Sequence, residues 1–387
     1  MVQKTVKIKA LWLCSWYPSR KIPYLATFIQ RQAAATARLA DVAILYVIGD
    51  TVSDYQIEFE EGDFLTTRVY YPETNNVFIK FFRQFRAQMA GYKAIVRRFG
   101  QPDIAHVQSA YPAAIFSLYL DIAKKIPFVV TEHYSGYMEA DKFHKEHLRK
   151  LFTKLVFRRA SAVLALSNFF IETLKNLGLH TRVFRVVFNV VDTSLFSPNS
   201  SPKKEPHIFT FSNFSLFDDG KKNITGVIKS AAKLAEKRQD FVVNLVGHGY
   251  HEDRIVDCAR SLGVLNRLVF LKGKMEQVEV AQQMQASDCV IMFSNIESQS
   301  VVTLEAAACG VPLIATETGG IGERVTPETG ILLTIGDEMG LVEAMDYMID
   351  NHHKYDPSVI RSRIVEKCGI DAVGHAILNA YKEVLKL

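Results

Sequence analysis

The residues best equipped for chemistry gather between Glu297 and Val325, which read ESQSVVTLEAAACGVPLIATETGGIGERV. Glu297 and Glu305 stand with seven residues between them. Glu297 falls in a polar turn after the apolar run Cys289–Phe293, and Glu305 lies on a helix predicted to begin near Ser300. The first N–H groups of a helix have no partner within it, and the helix dipole favours negative charge there. A strand, a turn and a helix head therefore make an anion site. A carboxylate at either end of such a site suits a ligand with a phosphate in its middle and hydroxyls on both sides. A nucleotide sugar has that layout.

Small residues follow, then Pro312, a second apolar run and Gly319-Gly320. The whole stretch resembles the donor-site signature of retaining glycosyltransferases of family 4, E-x7-E followed by A-x-G-x-P-V-I-A-x-x-x-G-G-x-x-E. The matching residues are Glu297, Glu305, Ala308, Gly310, Pro312, Gly319, Gly320 and Glu323. Weaker fragments keep the family's order elsewhere. Ser15–Ser19 with Phe28 and Gln32 resembles its first loop, Thr131-Glu132-His133 its T-x-H, and Asn189–Asp192 with Phe196 its N-G-V-D-x-x-x-F. Val246-Gly247-His248-Gly249 resembles V-G-x-G, and Phe270–Gly273 resembles F-x-G.

The resemblance implies an α/β protein of GT-B architecture, two doubly wound Rossmann-like domains facing an interdomain cleft. It implies that Glu297 faces the donor sugar, that Glu305 accepts from the ribose hydroxyls, and that the backbone of Ser300, Val301, Val302 and Thr303 meets the phosphates. Lys222 would neutralise the diphosphate, His133 would contact the sugar, and main-chain groups near Gly247 and Lys272 would complete the donor site. The chain departs from the pattern twice. Ser212-Asn213-Phe214 stands where the family has V-G-R, so Asn213 offers a hydrogen bond without a charge, and no glycine precedes Gly49 in the first loop.

Apolar runs alternate with amphipathic stretches, which predicts βαβ units and parallel sheets. Strands are expected near 7–14, 42–48, 64–71, 103–108, 127–132, 161–166 and 183–188, then near 208–213, 241–246, 267–272, 289–293, 312–316 and 331–335. Helices are expected over 25–40, 78–99, 112–124, 142–159 and 168–178. The linker-like stretch Ser197–Lys204 separates a first domain, 1–196, from a donor-binding domain, 205–369. The apolar face of Ile370–Leu387, with Val373, Ile377, Ala380, Tyr381 and Val384, needs a partner and predicts a helix packing back on the first domain.

Composition narrows the remaining classes. No apolar run approaches the ~20 residues that span a bilayer. The basic start resembles a signal peptide, but its apolar part is short and Trp16-Tyr17-Pro18 replaces a small-residue cleavage site, so a first buried strand is expected there. Five dispersed cysteines without a C-x-x-C pair point away from disulfides and zinc and toward the cytoplasm. No D-x-D motif occurs, and no metal or other cofactor is expected beyond the donor itself.

Charge divides unevenly. Residues 1–200 hold 26 Lys and Arg against 16 Asp and Glu, whereas residues 201–387 hold 20 against 25. Within 77–99 an aromatic stripe (Phe78, Phe81, Phe82, Phe85) is interleaved with Lys80, Arg83, Arg86, Lys93, Arg97 and Arg98 and no acid, and 142–159 is similarly basic. Such faces suit an anionic membrane or a phosphate-bearing acceptor, whereas no nucleic-acid module is recognisable. The expected activity is transfer of a sugar from a UDP or GDP donor to a glycan or lipid-linked acceptor in surface polysaccharide assembly. A nucleotide-sugar epimerase of the same fold and a catalytically weakened scaffold are the alternatives.

Overall fold

The computed structural model describes residues 7–23, 25–139, 147–199 and 207–387. Lys142 and Lys145 of the expected second basic helix, and residues 200–204 of the expected linker, lie outside them. The chain forms two compact units, Met1–Val190 with Ile370–Leu387, and Val191–Gly369.

The first unit carries β1 (Lys9–Cys14), β2 (Asp41–Asp50), β3 (Gln56–Glu60), β4 (Leu65–Pro72), β5 (Ile104–Gln108), β6 (Phe128–Glu132), β7 (Ala162–Ala165) and β8 (Phe184–Val186). They form one sheet in the order β3-β4-β2-β1-β5-β6-β7-β8, parallel throughout except for the antiparallel β3–β4 pair. Side chains alternate across a strand, so β1 feeds two cores. Leu11 and Leu13 join Leu45, Val69 and the helix Val77–Phe99 on one face. Ala10, Trp12 and Cys14 join Ile29 and Ala33 of the helix Thr27–Ala37 on the other, together with Ile377 and Tyr381 of the helix Ile370–Leu385. Burial on both faces is why β1 reads as a nearly unbroken apolar run.

The C-terminal helix is also tied in by polar contacts. The Tyr381 hydroxyl accepts from Trp12 Nε1 at 3.0 Å and meets His106 Nδ1 at 2.6 Å, while His106 Nε2 meets Thr131 Oγ1 at 2.6 Å. Burial drives His106 down to about 3, with His133 nearby adding to the effect.

The second unit carries β9 (Phe209–Phe214), β10 (Phe241–Val246), β11 (Val269–Gly273), β12 (Cys289–Met292), β13 (Leu313–Thr316) and β14 (Gly330–Leu333). All pairings are parallel, in the order β11-β10-β9-β12-β13-β14. The order reverses at β9, and in open α/β sheets ligands collect beyond the strand carboxyl ends at such a switch point. The five cysteines are free thiols, and all but Cys258 are buried.

Candidate donor site

The site is assembled from loops that leave β9, β12 and β13 at their carboxyl ends. After β9 the chain enters the short helix Asp219–Lys222. The loop after β12 is laced to it, because Asn295 donates its N–H to the Lys221 carbonyl at 2.7 Å and its Nδ2 to the Gly220 carbonyl at 3.0 Å. This lacing brings together two residues 75 apart in sequence, and Lys222 Nζ donates to Glu297 Oε1 at 2.5 Å. Ser294 Oγ donates to the same oxygen at 3.1 Å. Glu297 is 9% exposed and Lys222 21%, so water screens the pair only partly.

The helix Val301–Ala308 begins immediately beyond. Its N-cap, Ser300, has a φ of 57°, a left-handed conformation uncommon for a residue with a side chain. The segment after β13 secures this turn. Gly319 lies so close beneath it that a Cβ would stand 1.9 Å from the Glu297 carbonyl oxygen, which only glycine avoids. Gly320 donates its N–H to the Ser298 carbonyl at 2.9 Å, and Arg324 Nη2 donates to the Gln299 carbonyl and, at 3.3 Å, to Thr303 Oγ1. The carbonyls of Ser298 and Gln299 are thus both held by the Gly-Gly segment. Arg324 Nη1 is buried with no hydrogen-bond partner. Glu305 is buried further along the same helix, ~7 Å from its head at 1.5 Å per residue.

The glycine of V-G-x-G acts through close approach, since a Cβ on Gly247 would stand 1.9 Å from the Ser215 carbonyl oxygen. The loops after β10 and β9 can therefore touch. Lys272 projects from the edge strand β11, exposed and 5.3 Å above the Phe270 ring. Three strand spacings separate β11 from β12, or ~14 Å, so the Lys272 side chain is not gathered with Glu297.

Asn213 corrects the sequence reading. It is fully buried, its Nδ2 donates to the Ile291 carbonyl at 2.9 Å, and its Oδ1 accepts from Ser215 Oγ at 2.8 Å. Its side chain knits β9 to β12 and does not reach toward a ligand.

His133 follows β6 in the first unit. Its Nε2 lies 2.8 Å from Gln108 Oε1, an acceptor, which puts the ring proton on Nε2 and leaves Nδ1 as a buried acceptor without a partner. Burial pulls its pKa down to about 3, so the ring is neutral at physiological pH. The preceding Glu132 holds this loop in place. Its two carboxyl oxygens take the N–H groups of Ala110, His133 and Tyr134 and the Tyr137 hydroxyl.

Sequence reading missed Ser294, Glu132 and Arg324. Ser294 and Glu132 lie beside motif residues, whereas Arg324 was visible only as the residue after Glu323. Among the described residues, no group of three or more His, Cys, Asp or Glu side chains could hold a metal ion. A separate cavity of about 540 Å³, lined by Asp288, Gly310 and Pro357 among others, opens at the amino edge of the second sheet, opposite the site.

Comparisons with known proteins bear on the family and the fold. Residues 193–362 match the family described as glycosyl transferases group 1, and residues 25–195 match glycosyltransferase family 4. N-acetyl-alpha-D-glucosaminyl L-malate synthase of Bacillus anthracis is 26% identical over 298 residues, covering 73% of this chain and 75% of that protein. Sucrose-phosphate synthase from Thermosynechococcus elongatus has a TM-score of 0.76 at 18% identity, over 98% of this chain and 99% of its own. Anabaena HepE, solved in complex with UDP, has a TM-score of 0.75 at 18% identity, over 98% and 100%. Identity this low speaks for the fold, and the fold is GT-B. With the two family matches meeting near residue 195 and the E-x7-E pair at the head of its helix, the chain belongs to glycosyltransferase family 4 and is a glycosyltransferase.

Proposed function

We propose that this enzyme transfers a sugar, with retention of anomeric configuration, from a UDP- or GDP-activated donor to a glycan or lipid-linked acceptor in surface polysaccharide or lipopolysaccharide assembly. The observation that carries the reading is the Lys222–Glu297 contact at the head of the helix Val301–Ala308. Departure of a nucleoside diphosphate develops negative charge on the phosphates and positive charge on the sugar ring, so catalysis needs fixed charges of both signs in one place. Lys222 and the N–H groups of Val301–Thr303 would meet the first. Glu297 would meet the second, its Oε1 held by Lys222 and Ser294 and its Oε2 left for a sugar hydroxyl. Glu305 would fix the ribose, and the His133 Nδ1 acceptor would take a hydrogen bond from the sugar. No resident metal enters this reading.

The helix Val77–Phe99 supports a lipid-linked acceptor and a peripheral place at an anionic membrane. Its first turns expose Val77, Phe78, Ile79, Phe81 and Phe82, while its buried face begins only at Ala87. Arg83 is bound to the carbonyls of Pro72 and Glu73, which leaves its charge uncompensated, whereas Arg98 pairs with Glu61. No described helix is long and apolar enough to cross a membrane.

A thermal-shift screen with UDP, GDP and ADP, followed by nucleotide release from matching donors with and without acceptor, tests the function. The expected result is stabilisation by UDP or GDP and release that depends on acceptor. Release to water without acceptor, with the freed sugar recovered as its epimer, would replace transfer by epimerisation, and binding without turnover would leave a scaffold.

A further inference from the structure

With Asn213 committed to the sheet, the donor-site reading leaves the diphosphate one cation fewer than the family pattern supplies. A guanidinium nevertheless lies at the same helix head. Arg324 reaches it from the segment after β13, and its Nη2 touches the Gln299 carbonyl and Thr303 Oγ1, on either side of the N-cap Ser300. Its Nη1, on the same carbon, is buried and makes no hydrogen bond. A buried cationic N–H without a partner is costly, and natural interiors rarely contain one. Burial lowers this guanidinium to about 10, which still leaves it charged at neutral pH. Glu297 and Glu323 are the carboxylates whose fields reach it, and Glu297 is already held by Lys222.

Resting on the donor-site reading, we propose that Arg324 is a positioning residue of the diphosphate site and replaces the cation missing at position 213. Its Nη2 holds both the Gln299 carbonyl and the Thr303 hydroxyl, which keeps the N–H groups of Val301–Thr303 free for an anion. Its charge adds to the positive end of the helix dipole. Arginine suits the task because, with Nη2 committed to the loop, the same planar group keeps a second N–H-bearing nitrogen, Nη1, and remains charged when buried.

The test uses the full chain and three probes: inorganic diphosphate, the better of UDP and GDP, and the matching nucleoside. Calorimetric titration of Arg324→Met should show diphosphate and nucleotide bound about 10- to 100-fold more weakly, the loss typical of a charged hydrogen-bonding group. Nucleoside binding should stay at the wild-type level. Arg324→Lys keeps the charge without the fork and should recover part of the diphosphate affinity. Unchanged diphosphate binding in Arg324→Met overturns the proposal. So does equal loss of nucleoside and diphosphate binding, which would mark Arg324 as loop scaffolding alone. Should Arg324→Met fail to fold, a folded Arg324→Lys that recovers no diphosphate affinity overturns it as well. Failure of the donor-site reading looks different, because the wild-type chain itself would then bind none of the nucleotides.

Discussion

At the scale of residues, Glu297 and Glu305 carry the same chemical group, yet the proposed donor site would give them different work. Glu297 is locked to a cation in the turn before the helix, and Glu305 is buried along the helix itself. Glu297→Ala should lower kcat about 10²–10³-fold, comparable to losing one transition-state contact, with little change in nucleotide Kd. Glu305→Ala should mainly weaken nucleotide binding. Steady-state kinetics beside calorimetry separates the two, and equal binding losses with kcat preserved would reverse the assignment. The pair was readable in the sequence because the small residues, Pro312 and Gly319-Gly320 that follow it complete the resemblance to the family's donor-site signature. Asn213 and Arg324 were not legible. What they do depends on partners 78 and 25 residues away, Ile291 and Gln299, and no local pattern encodes such partners.

At the scale of elements, apolar runs and their spacing locate nearly every strand, because strands buried on both faces must be continuously apolar. The exception is β3, Gln56–Glu60, an antiparallel edge strand with both glutamates flanking Phe59. With one side solvated, it has no apolar run to announce it. Periodicity alone leaves the helix Val77–Phe99 ambiguous. Phe78, Phe81, Phe82 and Phe85 follow one helical stripe, which ordinarily marks a core-facing surface. Phe85 does pack on Phe116 and Tyr119, but Phe78 is 79% exposed and Phe82 64%. The double variant Phe78→Ser, Phe82→Ser should therefore change stability by no more than about 0.5 kcal/mol, as surface substitutions do. It should nevertheless abolish co-sedimentation with vesicles containing anionic lipid. Vesicle binding by the wild type that ignores both salt and anionic lipid content would count against attachment to an anionic surface through the basic faces.

At the scale of the whole molecule, the two units should respond differently to acid. In the first unit His106 and His133 are both held neutral, with pKa values pulled from 6.5 to about 3 by burial. The unfolded chain takes up protons at these rings below about pH 6.5 and the folded one does not. Their contribution is thus fully present above that pH and is lost progressively toward pH 3. Glu132, raised by burial, works in the opposite direction as pH climbs above its usual range, but it is one group against two. Both tryptophans of the sequence, Trp12 and Trp16, lie in this unit. Tryptophan fluorescence during urea unfolding therefore reports on it alone, and its midpoint should fall between pH 7 and pH 4. A midpoint that stays constant would show that these rings titrate normally.

The route of the chain also has a consequence for synthesis. The ribosome delivers the first unit's strands early, but Tyr381, which seats against Trp12 and His106, lies 191 residues beyond Val190, after the entire second unit. Domains usually fold in the order they are made. Here the segment made first must wait with one sheet face covered only in part, by the helix Thr27–Ala37, until Val373, Ile377 and Tyr381 arrive beside Ala10, Trp12 and Ile44. The second unit, continuous in sequence, can close before the first does. A nascent chain stalled before residue 370 should accordingly hold a finished second unit beside an apolar surface that chaperones recognise, and the last helix would release it.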